Sequence, residues 1–314
     1  MDELQWPLTS LCGQATPVGM TQTPNILCIG SVLWDIIGRS STKMRAGSDV
    51  AGHITRIPGG VAMNIAMTLV QFGLTPALLS SVGRDAEGDD LVAKAQDMGL
   101  ITDHLYRPTD LATDVYMAIE GAGEVIAAIA DAHCLEKAGD KILRPLMNGA
   151  LSAVPFSGTV VLDGNLTLDL LETISTSPLF AAAHLCVAPA SPGKADRLLP
   201  FLTRPAGTLY LNLEEANLLL GTDHADAATA AMAIRTRGAG RVLVTDGAQA
   251  AAFAQGTTVL TATPPEVHPV RLTGAGDTFM AAHIASEVQG MAPQAALERA
   301  LNAAATYVSG ETPS

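Results

Sequence analysis

Six short apolar runs, four to seven residues long and set apart along 314 residues, constrain the fold more than any other feature. They are Asn25–Gly30, Pro76–Val82, Thr159–Leu162, Ala183–Val187, Thr208–Leu211 and Arg241–Thr245. Continuous apolar runs of that length read as strands buried on both faces. Helical spacing lies between them. In Val61–Phe72, Ile65, Leu69 and Phe72 recur at helical intervals and Gly73 supplies the stop. Asp89–Met98 is closed by Gly99, and further helical stretches fall near 168–176, 214–220 and 225–237. Strands alternating with helices predict an α/β fold, a three-layer αβα sandwich around a mostly parallel sheet. No repeat period is visible.

Two segments break the alternation. Thr113–Glu120 and Glu124–Asp131 flank Gly121-Ala122-Gly123 and predict a β-hairpin. Residues 36–58 carry Arg, Ser, Thr and His with few helix signals. Together, about 36–58 and 113–131 predict a small β-sheet lid over the C-terminal edge of the main sheet, where ligands of such folds bind. The domain is expected to span 25–314. Residues 1–24 lack periodicity and read as a tail, with Met20 a candidate second start.

The balance of charge excludes two classes of partner. A formal net charge of −13 removes the electrostatic footprint of a nucleic-acid binder and disfavours an anionic membrane surface. A chain this acidic that takes an anionic ligand needs local devices such as main-chain N–H groups at a helix start. No apolar run approaches the ~20 residues of a bilayer span. The N-terminus MDELQWPLTS has no basic segment followed by an apolar one, so a cytoplasmic location is expected. Cysteines at 12, 28, 134 and 186 have no paired or zinc-like spacing, and Cys28, inside an apolar run, reads as a reduced core residue.

The chemistry concentrates near the C-terminus, in Leu272-Thr273-Gly274-Ala275-Gly276-Asp277-Thr278 ahead of an apolar helix at Phe279–Ile284. Small residues at Gly274, Ala275 and Gly276 let main-chain N–H groups approach a ligand, and the helix start adds its positive dipole end. Such a turn is an anion hole suited to a transferring phosphoryl group, with Asp277 placed to accept a hydroxyl proton. The alternative is a glycine-rich loop in which Asp277 only caps the helix. A second pattern, Gly59-Gly60-Val61-Ala62-Met63-Asn64, opens a helix and is followed by Gly83-Arg84-Asp85-Ala86-Glu87-Gly88. Asn64 offers a donor and an acceptor to hydroxyls, and Asp35, soon after the first strand, offers two acceptors. Each is also explicable as a turn residue or a cap.

These features together resemble the ribokinase-like (PfkB) family of carbohydrate and nucleoside kinases over roughly 25–310. One signature region resembles GGVAMNIAMTLVQFG with SSVGRDAEGDDL, the other LTGAGDTFMAAHI. The resemblance implies ATP and Mg2+ as cosubstrate and cofactor, a small sugar or nucleoside as acceptor, and a homodimer through the lid. It implies that Asp277 is the catalytic base in the Gly274, Ala275, Gly276 anion hole. Asp35, Gly59, Gly60 and Asn64 match sugar-binding positions. Asn212 and Glu215 match an N-x-x-E motif whose Glu organises magnesium through water. Thr245 and Gly247 match a nucleotide-contacting turn, and Asn302 an adenine-pocket position. The family often has Asp three residues before the first Gly of GAGD, beside a monovalent-cation site; here that residue is Arg271, which argues against potassium activation.

Within the family the sequence is most similar to pseudouridine kinases. The resemblance rests on the 123–131 strand GEVIAAIAD, on Asp163-Gly164-Asn165-Leu166, and on GAGD without the preceding Asp. It implies phosphorylation of the 5′-hydroxyl of pseudouridine. Alternation puts Val125, Ala127, Ile129 and Asp131 on one face of the lid strand, so that Asp131 either accepts from a ring N–H or merely ends the strand. Asn165 is likewise a cleft residue or a turn. Two rival activities remain: phosphorylation of another acceptor (ribose, another nucleoside or a sugar acid), and ligand binding without catalysis. A nicotinamide-dependent oxidoreductase is disfavoured because no G-x-G-x-x-G follows the first strand.

Overall fold

The computed structural model describes residues 24–313 apart from Ala46, Gly123, Ser152 and Leu272. The expected tail therefore falls, except for Pro24, outside the described residues, as do the last residue of the Gly121–Gly123 turn and the first of the Leu272–Thr278 turn.

The chain opens with β1 (Ile26–Ile29), β2 (Leu33–Ser40), β3 (His53–Gly59), α1 (Val61–Gln71), β4 (Ala77–Leu79) and α2 (Ala86–Asp97). Next come β5 (Val115–Gly121), β6 (Glu124–Asp131), α3 (His133–Ala138), α4 (Arg144–Met147), β7 (Thr159–Asp163) and α5 (Leu168–Thr176). β8 (His184–Ala188), β9 (Thr208–Asn212), α6 (Leu213–Leu220), α7 (Ala227–Thr236) and β10 (Arg241–Thr245) follow. The last elements are β11 (Ala251–Gln255), β12 (Thr258–Ala262), α8 (Ala275–Val288) and α9 (Pro293–Val308).

Eight strands form the main sheet in the order β12-β11-β10-β9-β8-β7-β1-β4. It is parallel from β4 to β10, and β11 and β12 extend it antiparallel. Alternation sends Leu27, Ile29, Val160 and Leu162 to one face, where they meet buried residues of α5, α6 and α7. Ile26, Cys28 and Val161 point to the other, against α1, α2, α8 and α9. This is the expected α/β sandwich. All six predicted strands are present. The reading overlooked α3, α4, β11, β12 and α9. β11 is AAFAQ, whose alanines carry little intrinsic strand preference, so its conformation follows from pairing with β10.

A separate four-stranded sheet, β3-β2-β5-β6, forms the lid. Its inner pair β2–β5 is parallel and its outer pairs are antiparallel. The first lid segment starts earlier than residue 36, because β2 begins at Leu33 and carries Asp35 into the lid. Buried Trp34 anchors it: its indole N–H donates to Glu87 O at 2.9 Å, and the Arg56 guanidinium lies 3.7 Å from its ring. The strict two-residue alternation expected along β6 does not hold. Pairing steps from Ile119–Ala127 to Glu120–Val125, so Ile126 is an extra residue and the strand's faces exchange there.

Candidate active site

Helix α8 starts at a turn that only glycine accommodates. Gly274 has φ +90°, and a Cβ there would fall 2.5 Å from the Tyr307 hydroxyl. Thr278 is the first residue to close a helical hydrogen bond, N–H to Gly274 O at 3.0 Å. The N–H groups of Ala275, Gly276 and Asp277 precede it and have no acceptor within the helix. Asp277, in that first turn, accepts from Asn64 Nδ2 at 2.9 Å. Asn64 comes from α1, 213 residues earlier, so the two signature regions meet side chain to side chain.

Burial pushes the Asp277 carboxyl up to about 7, with the Asn64 hydrogen bond opposing and Asp163, Asp35 and Glu215 adding like charge. All three carboxylates act on Asp277 through its electrostatic field. Asp35, on β2, is raised to about 6 by burial and faces Gly59, where a Cβ would come 2.0 Å from its Oδ2. Glycine at 59 thus leaves room for the carboxylate at the root of the lid. Gly60 is the N-cap of α1. Tyr116, paired with Asp35 across β2–β5, has its phenol raised first by burial and then by that carboxylate.

Asp163 is a site residue that sequence reasoning quoted without assigning it a role. Completely buried at the end of β7, it accepts from Ser31 N (2.8 Å), Ser31 Oγ (2.9 Å), Asn165 N (2.7 Å) and Ala62 N (3.0 Å). It ties the β1 turn to the first turn of α1, and burial raises its carboxyl. A carboxylate ending an apolar strand was the only signal for it. Asn165 donates to Ser31 Oγ at 2.9 Å and accepts from Lys194 Nζ at 2.6 Å. Lys194, also missed, has no sequence context that marks it.

Asn212 and Glu215 form a reciprocal cap. Asn212 Oδ1 accepts from Glu215 N at 2.8 Å, and Glu215 Oε2 accepts from Asn212 N at 2.9 Å. The pair is thus a helix start, yet not a solvated one. Glu215 is buried and its carboxyl is raised to about 7 by that burial. Thr245 pairs with Asn212 across β9–β10, and Gly247 follows in the next turn with φ +53°. Asn302, on α9, lines a separate cleft of about 600 Å³ with Val267, His268, Val270, Thr306 and Ser309.

Asp131, like Asn302, has surroundings of its own. Asp131, at the exposed end of β6, lies 2.5 Å from His133 Nδ1, and that hydrogen bond is the main influence holding its carboxyl below the usual range. Cys28, Cys134 and Cys186 are buried free thiols, as expected for Cys28, with Cys134 pushed up to about 11 by burial.

Comparison with known proteins bears on the family and the fold. Residues 23–313 match the pfkB family of carbohydrate kinases. The chain is 28% identical to the uncharacterized sugar kinase YeiI of Escherichia coli K12, over 86% of this chain and 74% of that protein. It is 27% identical to the pseudouridine kinase of the same organism (87% and 86% covered) and 26% identical to Bacillus subtilis ribokinase (90% and 92%). Among solved structures, a carbohydrate kinase from Agrobacterium tumefaciens superposes with a TM-score of 0.75 at 25% identity, covering 90% of each chain. A putative ribokinase II from E. coli, in complex with ATP and Mg2+, superposes with a TM-score of 0.75 at 18% identity, covering 92% and 94%. By this match over nearly its whole length, the chain belongs to the PfkB family of carbohydrate kinases.

Proposed function

We propose that this protein transfers the γ-phosphoryl group of ATP to the 5′-hydroxyl of pseudouridine, with Asp277 as the base. The observation that carries the reading is Asp277 in the first turn of α8, hydrogen-bonded to Asn64 and within electrostatic reach of the lid carboxylate Asp35. The acceptor's ribose hydroxyls bind Asp35, Asn64 and the Gly59–Gly60 main chain. Asp277 takes the proton of the attacking hydroxyl, and the N–H groups of the 274–277 turn receive the charge of the migrating phosphoryl group. A carboxyl near 7 suits this exchange, since it is ionised above neutrality yet basic enough to hold the proton.

Thr245 and Gly247 flank the nucleotide, and the cleft beside Asn302 takes its adenine. Among the described residues no group of three or more metal-ligating side chains is gathered. That fits Mg2+, which is commonly held by one or two carboxylates together with substrate phosphates. Glu215, buried and with Oε2 committed to its cap, would hold the hydrated ion through water, and the ion would neutralise phosphate charge. Closure of the lid would exclude water and suppress hydrolysis of ATP.

Pseudouridine is supported by the resemblance in the 123–131 strand and the 163–166 turn and by the matched bacterial pseudouridine kinase. A second reading, a kinase for ribose or another nucleoside, is favoured by the placement of Asp131 on His133, because the sugar-facing set is complete without it. ADP release measured with pseudouridine, uridine, cytidine, adenosine and ribose decides between them. Pseudouridine should give the highest kcat/KM; preference for ribose or adenosine leaves the kinase and removes the acceptor. The lid also exposes Ile54, Ile57, Met117, Ile119, Val125, Ile126 and Ile129, and we assign this surface to a homodimer. No helix among the described residues is long and apolar enough to cross a membrane, and we place the enzyme in the cytoplasm with its ATP.

A further inference from the structure

The turn that holds Asp277 is braced from behind by a cation. Arg271 Nε donates to Tyr307 O at 2.8 Å and Nη2 to Glu311 O at 3.0 Å. Its guanidinium carbon lies 3.8 Å from the centre of the Tyr307 ring. The Tyr307 hydroxyl in turn donates to Thr273 O at 2.9 Å, one residue before the Gly274 turn. The main-chain N–H groups of Val270 and Arg271 both donate to Val308 O, so the strut is fixed at both ends. Among the described residues, no carboxylate pairs with this guanidinium. Its hydrogen-bond partners are main-chain carbonyl oxygens, the kind of ligand a hard alkali cation takes, and its charge also lies over an aromatic face. The charge is also within reach of the reaction centre: Arg271, Asp277 and Asp35 all act electrostatically on the Tyr307 phenol.

A monovalent metal ion does not fit here. The position where the family resemblance implies a carboxylate beside such an ion carries a positive side chain, and that side chain already occupies carbonyl oxygens. We propose that Arg271 is the built-in cation of the phosphoryl-transfer turn, a positioning residue that makes the enzyme independent of potassium. The proposal rests on Asp277 and its turn being the transfer site, but the test below separates the two.

At fixed ionic strength, wild-type melting temperature and turnover should be the same in potassium, sodium and tetramethylammonium chloride. In Arg271→Ala, tetramethylammonium should leave kcat down about 10-fold with the KM for ATP little changed, since only the turn's charge and position are lost. Potassium or guanidinium should restore kcat and raise the melting temperature of that variant, but not of the wild type. Arg271→Lys should retain more activity than Arg271→Gln, which serves if the alanine variant fails to fold. Potassium-specific stabilisation of the wild type, or an alanine variant fully active in tetramethylammonium, overturns the proposal. Melting needs no turnover, so an enzyme inactive towards every acceptor would refute the proposed function while the cation result still stands or falls by itself.

Discussion

In the proposed function Asp277 has two jobs that pull in opposite directions, catalysis and its part in the stability of the fold. Its carboxyl is raised to about 7 from an ordinary value near 4, so the folded protein holds a proton that the unfolded chain releases. The associated stability is complete below about pH 4 and is lost as pH rises through about 7. Asp277→Asn should therefore raise the melting temperature by about 2–5 °C at pH 8 and leave it unchanged at pH 4, in paired thermal scans. The same variant should cut turnover about 10²–10⁴-fold while nucleotide binding persists. For the wild type, kcat/KM should climb with pH through about 7 and then level, as the base ionises. Asn64→Ala removes the hydrogen bond that lowers this carboxyl, so the climb should move to higher pH; a profile that stays put would mean that Asn64 does not touch the working base.

At the scale of elements, the turns at Gly60, Asp163, Asn212 and Gly274 lie where strands end or helices begin. The Asn212–Glu215 cap illustrates why local sequence alone is ambiguous: one pair of side chains starts α6 and, in the proposed function, also serves the nucleotide and its metal ion. Asn212→Ala should cost about 1 kcal/mol of stability by denaturant titration, the usual worth of a cap, and should also raise the KM for ATP. A change in stability without a change in KM would reduce the pair to a helix start. Much of this was legible beforehand. The turns at 59–60 and 274–276 announced themselves through Gly60 and Gly274, whose backbones at φ +95° and +90° few other residues tolerate. The buried strands did so through continuous apolar runs. What stayed hidden depends on tertiary partners. Lys194 and Tyr307 carry no local signature, β11 is a strand only because β10 pairs with it, and the extra residue at Ile126 shifts a face that alternation alone assigns wrongly.

Over the whole molecule, the two halves of the core and the lid have different exposure. The sandwich buries its apolar side chains on both faces of the sheet, whereas the lid leaves Ile54 and Ile129 at 79% and 70% exposure. Light scattering at micromolar concentration should give a dimer mass, and Ile129→Asp should halve it without lowering the melting temperature of the sandwich; a monomeric wild type would defeat the assignment.

The Asn64–Asp277 contact has a consequence for the life of the chain. Its two ends leave the ribosome 213 residues apart, with the donor arriving early and the acid near the close of translation. A nascent or C-terminally clipped polypeptide thus lacks the proposed base and part of the core beneath α1, and in the proposed function phosphorylating competence arrives only once the last helices have docked.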